Sequence, residues 1–329
     1  MTPRARATRP ARKPPDPGVV RIGTRASALA LKQARLVEHA LQRQGLTGEL
    51  VTFKTTGDKQ LDEPLNAIGG KGLFTQELER ALERGKIDCA VHSLKDLPTE
   101  LAAPFTIAAI PERVDPRDAF VSVLYASFEA LPHGARIGTS SLRRQAQLKA
   151  QRPDVACVEF RGNVDTRLRK LAEGQVDAII LASAGLERLG LTAHRRECFS
   201  PLVLCPAAGQ GALAIEARAG DARTLAALEF LNHRATRYTV TAERAALAAL
   251  GGGCQVPIGI HCFAGDEGYS VVSAVAAPDG SEVLRVVMDR QSGLEAEALG
   301  RKVAEELLRQ GAQRLLGMGA VGSSPVGAA

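Results

Sequence analysis

Strands and helices alternate through the first half of the chain, and no other feature restricts the fold as much. Val19 to Gly23 reads as a strand, and a helix follows over 27–44 with Leu29, Leu36, Val37 and Leu41 near helical spacing and Gly45 at its end. A strand over 49–55, the loop Gly69-Gly70-Lys71-Gly72, a helix over 73–84 and an apolar strand over 87–91 complete a first unit. Beyond the charged, Pro-containing stretch 111–116 the pattern returns as strand 135–138, helix 142–150, strand 155–159, helix 164–172 and strand 178–182. This order calls for helices over a mostly parallel sheet, twice. Two such lobes would face a cleft, with ligand loops at the carboxyl ends of their strands.

The last third is different. A helix over 239–250 ends in three glycines, strands are expected over 258–263, 269–276 and 283–288, and a helix spans 294–309. Pro278-Asp279-Gly280 turns the last two strands into an antiparallel hairpin, which makes this a small α+β domain. The glycine-rich end from 317 onward is expected to fray. At 329 residues and 45% hydrophobic content the chain has material for two or three packed cores, which excludes a disordered or fibrous protein.

No segment approaches the roughly 18 apolar residues of a membrane span, and no secretory signal opens the chain, so a cytoplasmic protein is expected. The net charge of +6 suggests a polyanion partner until its location is considered. Residues 1–17 hold five Lys or Arg and one acid, a net +4, so the remainder is near neutral. That Pro-rich tail is expected to be disordered. An organelle-targeting role is disfavoured by the lack of Ser, and nucleic-acid binding by the absence of Trp and the few aromatics. The six cysteines form no Cys-x-x-Cys pair, so neither a metal site nor a disulfide framework is expected.

Basic residues recur in loops just before helices. Arg25 precedes Ser27, Lys71 follows two glycines, Arg143 and Arg144 follow Thr139-Ser140-Ser141, and Arg161 and Arg167 bracket Gly162-Asn163. Helix N-termini with hydroxyls and arginine forks make anion sites. Ordinary capping explains any one of these loops but not four together, so a ligand with several carboxylates or phosphates is implied. The glycine loop lacks the Gly-x-x-x-x-Gly-Lys-Ser/Thr spacing of a nucleotide-hydrolysing loop, since no hydroxyl residue follows Lys71.

Two segments point to chemistry. His92-Ser93-Leu94-Lys95-Asp96-Leu97-Pro98 sets an acid beside a base in a constrained turn, where a carboxylate could stabilise a developing cation or simply pair with Lys95 at the surface. Cys254 follows Gly251-Gly252-Gly253 and precedes Pro257, which suits a thiol presented to a cleft but also a buried Cys after a helix end. From local features the two roles of Cys254 stand level.

Taken in order, Arg21-Ile-Gly-Thr-Arg25-Ala-Ser27, Gly69-Gly-Lys71-Gly-Leu-Phe74, His92-Ser-Leu-Lys95-Asp96-Leu-Pro98, Gly138-Thr-Ser-Ser-Leu-Arg143-Arg144, Arg161-Gly-Asn163-Val-Asp-Thr-Arg167, Gly209-Gln210-Gly211 and Gly251-Gly-Gly-Cys254-Gln-Val-Pro-Ile-Gly259 resemble the porphobilinogen deaminase (hydroxymethylbilane synthase) family, over residues 19–310. The resemblance implies two periplasmic-binding-protein-like α/β domains facing a cleft, plus a small C-terminal α+β domain with a three-stranded antiparallel sheet. It divides the chain into a tail (1–17), domain 1 (18–112 and 208–228), domain 2 (113–207) and domain 3 (229–329). It implies a transferase that joins four porphobilinogen molecules head to tail on a dipyrromethane cofactor, releasing ammonia at each addition and hydroxymethylbilane at the end, in tetrapyrrole and heme biosynthesis.

Cys254 matches the residue that holds this cofactor by a thioether, and Asp96 matches the catalytic carboxylate. Arg25, Ser27, Lys71, Lys95, Thr139, Ser140, Ser141, Arg143, Arg144, Arg161, Gly162, Asn163, Arg167, Arg188 and Gln210 fall at cofactor- or substrate-binding positions. Ala67 stands where some members carry a further Lys. The expected partner is the small molecule porphobilinogen, bound by a cytoplasmic monomer, with neither nucleic acid nor membrane involved. Two other functions fit the residues alone: a two-lobed receptor for a small anion, and a Cys-dependent hydrolase using His92, His133 or His261.

Overall fold

The computed structural model describes residues 18–54, 75–252 and 256–317. The tail 1–17, Lys71 with its glycine loop, Ala67, Cys254 and the C-terminal residues beyond 317 lie outside the described residues. In the first lobe β1 (Val19–Arg25), α1 (Ala28–Arg43), β2 (Thr47–Phe53), α2 (Gln76–Glu83), β3 (Cys89–Ser93) and β4 (Phe105–Ala109) follow one another, and a single 3-10 turn (Leu94–Asp96) leaves the end of β3. The chain then crosses to the second lobe. There β5 (Asp118–Val121), β6 (Arg136–Gly138), α3 (Leu142–Gln151), β7 (Ala156–Val158), α4 (Val164–Ala172), β8 (Ala178–Ala182), α5 (Ser183–Leu189) and β9 (Glu197–Cys198) succeed one another. A second crossing brings β10 (Leu213–Arg218) and α6 (Ala222–Leu228) back to the first sheet.

The two five-stranded sheets have orders β2-β1-β3-β10-β4 and β7-β6-β8-β5-β9. Each is mixed rather than wholly parallel. β10 runs antiparallel to β3 and β4, and β5 runs antiparallel to β8 and β9. In both lobes the reversed strand is the one that arrives by a crossing from the other lobe. The lobes are therefore joined by two separate stretches of backbone, both of which enter the middle of a sheet. Strands as short and as buried as β5, with all four residues inside, show no alternation and give sequence periodicity nothing to detect.

Local chemistry explains the helices that frame the cleft. Ser27 caps α1, its hydroxyl accepting from the Ala30 amide at 3.3 Å. The buried stripe of α1 runs through Ala30, Ala34, Val37 and Leu41, whereas Leu36, expected on that stripe, is 52% exposed. Small alanines let the helix sit close to the sheet, and helical register leaves Leu36 outside. Between the lobes α1 packs against α5, with Leu29 close to Gly185.

The third domain consists of α7 (Arg234–Ala249), the antiparallel sheet β11 (Ile258–Gly265), β12 (Gly268–Ala276) and β13 (Val283–Gln291), then α8 (Ala296–Arg309) and α9 (Ala312–Leu315). α7 starts five residues earlier than its apolar pattern suggests, because His233 caps it by accepting from the Thr236 amide at 3.3 Å. Its fully buried Glu243 is the joint between this domain and both crossings. Arg113 of the first crossing donates to it at 2.6 and 3.2 Å, the Gly209 amide of the second at 2.7 Å, and the Cys262 amide of β11 at 2.8 Å. Burial opposes ionisation of Glu243, but Arg113 and His261 more than offset it and hold its pKa below the usual value. Gly209 has φ +74°, and a Cβ there would stand 2.9 Å from Leu94 Cγ, so this joint tolerates no side chain.

Candidate active site

Five of the segments expected to bind anions lie at or just beyond the carboxyl ends of strands. Arg25 ends β1 and Ser27 follows it; Lys95 and Asp96 follow β3; Thr139, Ser140 and Ser141 follow β6; Arg161, Gly162 and Asn163 follow β7; Arg188 sits on α5 after β8. Helices α3 and α4 begin at Ser141 and Asn163 without a side-chain cap, which leaves first-turn N-H groups for a ligand.

The hydroxyls divide into two kinds. Thr139, buried, accepts from the Ser141 amide at 3.3 Å, and Ser140 accepts from the Phe160 amide at 3.2 Å, so both brace the loops. The Ser141 hydroxyl makes no hydrogen bond among the described residues. Gly162 has φ +121°, and its carbonyl accepts from Arg167 Nε at 2.7 Å. That bond turns the Arg167 side chain back along α4 towards the loop.

Arg143, Arg144 and Gln210 share a partner that their motifs do not reveal. All three converge on Asp118, which is wholly buried at the start of β5. Arg143 Nη1 reaches Asp118 Oδ2 at 2.7 Å and the Cys205 carbonyl at 2.6 Å. Arg144 gives Nε and Nη2 to Asp118 Oδ1 at 3.1 and 2.7 Å and Nη1 to the Ile180 carbonyl at 3.0 Å, so that all three of its nitrogens are engaged. Gln210 Nε2 donates to Asp118 Oδ1 at 2.9 Å and to the Pro116 carbonyl at 2.7 Å, while its Oε1 accepts from Lys95 Nζ at 3.2 Å. Arg144 and Gln210 thus brace the cleft from behind, because a buried carboxylate claims donors first.

Asp118 was not among the residues singled out from sequence, although an acid heading the apolar run Ala119 to Val121 is the kind of signal that marks a paired buried charge. Burial raises its pKa, and the charges and hydrogen bonds of Arg143 and Arg144 more than offset this, holding the carboxyl far below the ordinary range. With a depressed folded pKa, its contribution to stability is complete above about pH 4 and is lost only as pH falls through the folded value. Asp118→Ala is expected to cost about 3–5 kcal/mol, because two buried guanidiniums lose their counter-ion. Urea denaturation at neutral pH checks this, and a cost under about 1 kcal/mol would contradict it.

Positive charge with unfilled donor capacity remains in the cleft. Arg161 Nη1 and Arg188 Nε are buried without a hydrogen-bond partner among the described residues, although Arg188 Nη2 donates to the Gly211 carbonyl at 2.7 Å. Burial pulls Arg167 and Arg188 down to about 10. It also pulls Lys95 down to about 8, against the attraction of Asp96. A ligand carboxylate would supply the missing acceptors and reverse these shifts. Asp96 is exposed, makes no hydrogen bond or ion pair among the described residues, and its charge is felt by Lys95, Arg144 and Arg167. A lone carboxylate thus faces cations from both lobes.

His92 is poorly placed to activate a thiol, since it is buried and bound through Nε2 to Glu216 at 2.9 Å. No group of three or more His, Cys, Asp or Glu among the described residues could hold a metal ion. No described helix is long and apolar enough to cross a membrane.

Two family models match the chain. Residues 20–226 match the porphobilinogen deaminase dipyromethane cofactor binding domain, and residues 237–309 match the porphobilinogen deaminase C-terminal domain. A porphobilinogen deaminase of Roseiflexus sp. (strain RS-1) is 52% identical over 297 residues, covering 90% of this chain and 97% of that protein. One from Nitratidesulfovibrio vulgaris is 50% identical over 301 residues, covering 90% and 95%. Among solved structures, a periplasmic substrate-binding protein of an ABC transporter from Coxiella burnetii aligns with a TM-score of 0.42 at 18% identity, covering 66% of this chain and 94% of that one.

Proposed function

Since the chain belongs to the porphobilinogen deaminase family, we propose that it condenses four porphobilinogen molecules head to tail on a dipyrromethane held at Cys254, with Asp96 as the catalytic carboxylate. The observation that carries the assignment of Asp96 is its placement as an exposed, unpaired acid among Lys95, Arg144 and Arg167. The residues present fit the cofactor, because a dipyrrole brings several carboxylates to a cleft in which Arg161 Nη1 and Arg188 Nε are buried without acceptors. When bound, that group supplies the free pyrrole carbon to which the first substrate is joined.

The chain's own residues then have separable tasks. Arg161, Arg167 and Arg188, with Arg25, Lys71 and the open N-termini at Ser141 and Asn163, take acetate and propionate groups and so fix the register of each ring. Asp96 accepts hydrogen bonds from pyrrole N-H groups. As protonated amine leaves the aminomethyl carbon of porphobilinogen, a C-N bond breaks, ammonia departs and positive charge spreads over the substrate's pyrrole. A fixed carboxylate beside the ring N-H stabilises positive charge on the ring more than it does the neutral pyrrole of the ground state, and is placed to take the ring proton once the new C-C bond has formed. Arg143, Arg144 and Gln210 act behind them by holding Asp118 and Lys95 in place. The enzyme works as a cytoplasmic monomer.

Purified protein given porphobilinogen should release four ammonia molecules per hydroxymethylbilane, and the protein itself should give a pyrrole colour reaction before any substrate is added. Reversible binding without ammonia release would favour an anion receptor instead.

A further inference from the structure

The Asp96 carboxylate takes its position from the backbone of its turn, since no side chain among the described residues bonds it. On the upstream side that backbone is well tied. β3 pairs with β1 and β10, the Leu94 amide donates to the Ala212 carbonyl at 3.0 Å, and Leu94 is fully buried. Downstream there is no strand until Phe105, and Pro98 has no N-H with which to join a ladder.

One side chain of another domain closes this gap. Arg244, on α7, gives Nη1 to the Leu97 carbonyl at 3.2 Å and Nη2 to the Pro98 and Thr99 carbonyls at 2.6 and 3.0 Å. Three consecutive carbonyls directly after Asp96 are gathered on one rigid guanidinium, a geometry that the single ammonium of Lys does not reproduce. α7 is itself immobilised at that level, because the neighbouring Glu243 binds both crossings. At its C-terminal end the same helix runs into Gly251 and Gly252, two residues short of Cys254.

We propose that Arg244 is a positioning residue for the condensation reaction: it sets the Asp96 turn relative to the helix that leads to the cofactor anchor. This role depends on Asp96 carrying the chemistry. Arg244 bonds the backbone carbonyls that follow Asp96, and acts through the placement of that carboxylate. A displacement of the turn by a fraction of an ångström would then slow the bond-making step without weakening substrate binding to match.

The test is a double-mutant cycle with Asp96→Glu, a variant that keeps a carboxylate but has already lost its correct reach. The readout is single-turnover ammonia release per molecule bearing the two-pyrrole adduct, counted by intact mass. Arg244→Met should lower this rate by about tenfold or more in the Asp96 background, with KM within about threefold, and by less than about twofold in the Asp96→Glu background. Arg244→Lys should recover part of the loss. An unchanged rate, or the same fold-loss in both backgrounds, would overturn the positioning role. Should Arg244→Met fail to fold, Arg244→Lys read in the same two backgrounds decides in the same way. A full rate for Asp96→Glu alone would show that the reach of the carboxylate is immaterial and would overturn the positioning role, whereas a near-normal rate for Asp96→Asn would remove Asp96 itself from the chemistry.

Discussion

Asp96→Asn is expected to lower turnover by about 10²–10⁴-fold per adduct-bearing molecule, while the fold and much of the substrate binding survive. The amide is nearly the same size, so packing of the exposed side chain is unaffected, and the buried supports of the turn at Leu94 and Leu97 remain. What disappears is negative charge at the point where positive charge develops. The nearby cations Lys95 and Arg167 would then face the cationic pyrrole without that negative charge between them. Steady-state kinetics should therefore show kcat falling far more than KM changes. Turnover within about threefold of the unmodified protein would remove Asp96 from the catalytic role.

Cys254→Ser should abolish the two-pyrrole mass increment in intact-mass spectra and, with it, turnover. A serine hydroxyl is a far weaker nucleophile than a thiol and is not expected to form the corresponding link. The cleft would still bind anions, because Arg161, Arg167 and Arg188 are untouched, but the growing chain would have no tether to keep it there. Among the five described cysteines, Cys89, Cys205 and Cys262 are buried, and burial drives all three thiols well above their ordinary pKa, so none of these is a ready substitute. An unmodified wild-type protein with full activity would end the idea of a permanent tether.

The part of the site that was legible in the sequence is the part written in contiguous motifs. Ser27, Ser141 and Asn163 stand at helix starts, and Arg161 and Arg167 bracket a glycine, so their neighbourhood follows from spacing alone. The partners of Arg143 and Arg144 were not legible. Asp118 is 25 and 26 residues away from them, and Gln210 is a further 92 residues beyond Asp118. Nor does any local pattern reveal Glu243, a carboxylate on the buried face of an alanine-rich helix whose partners lie at Arg113, Gly209 and Cys262. Arg244 was equally hidden, because it looks like an ordinary polar position of the same helix.

By itself, then, the amino-acid order determined the alternation of elements, the α+β character of the last third, and the set of loops able to carry anionic ligands. Periodicity, capping and turn chemistry are local, and they survive in any fold that uses these segments. The tertiary structure decided which cations remain available to a ligand. Asp118, enclosed where the second lobe meets the returning crossing, engages both Arg143 and Arg144, while Arg161 and Arg188 keep buried donors to offer. That division depends on which charge is buried beside which, and burial is settled only when distant segments close upon one another.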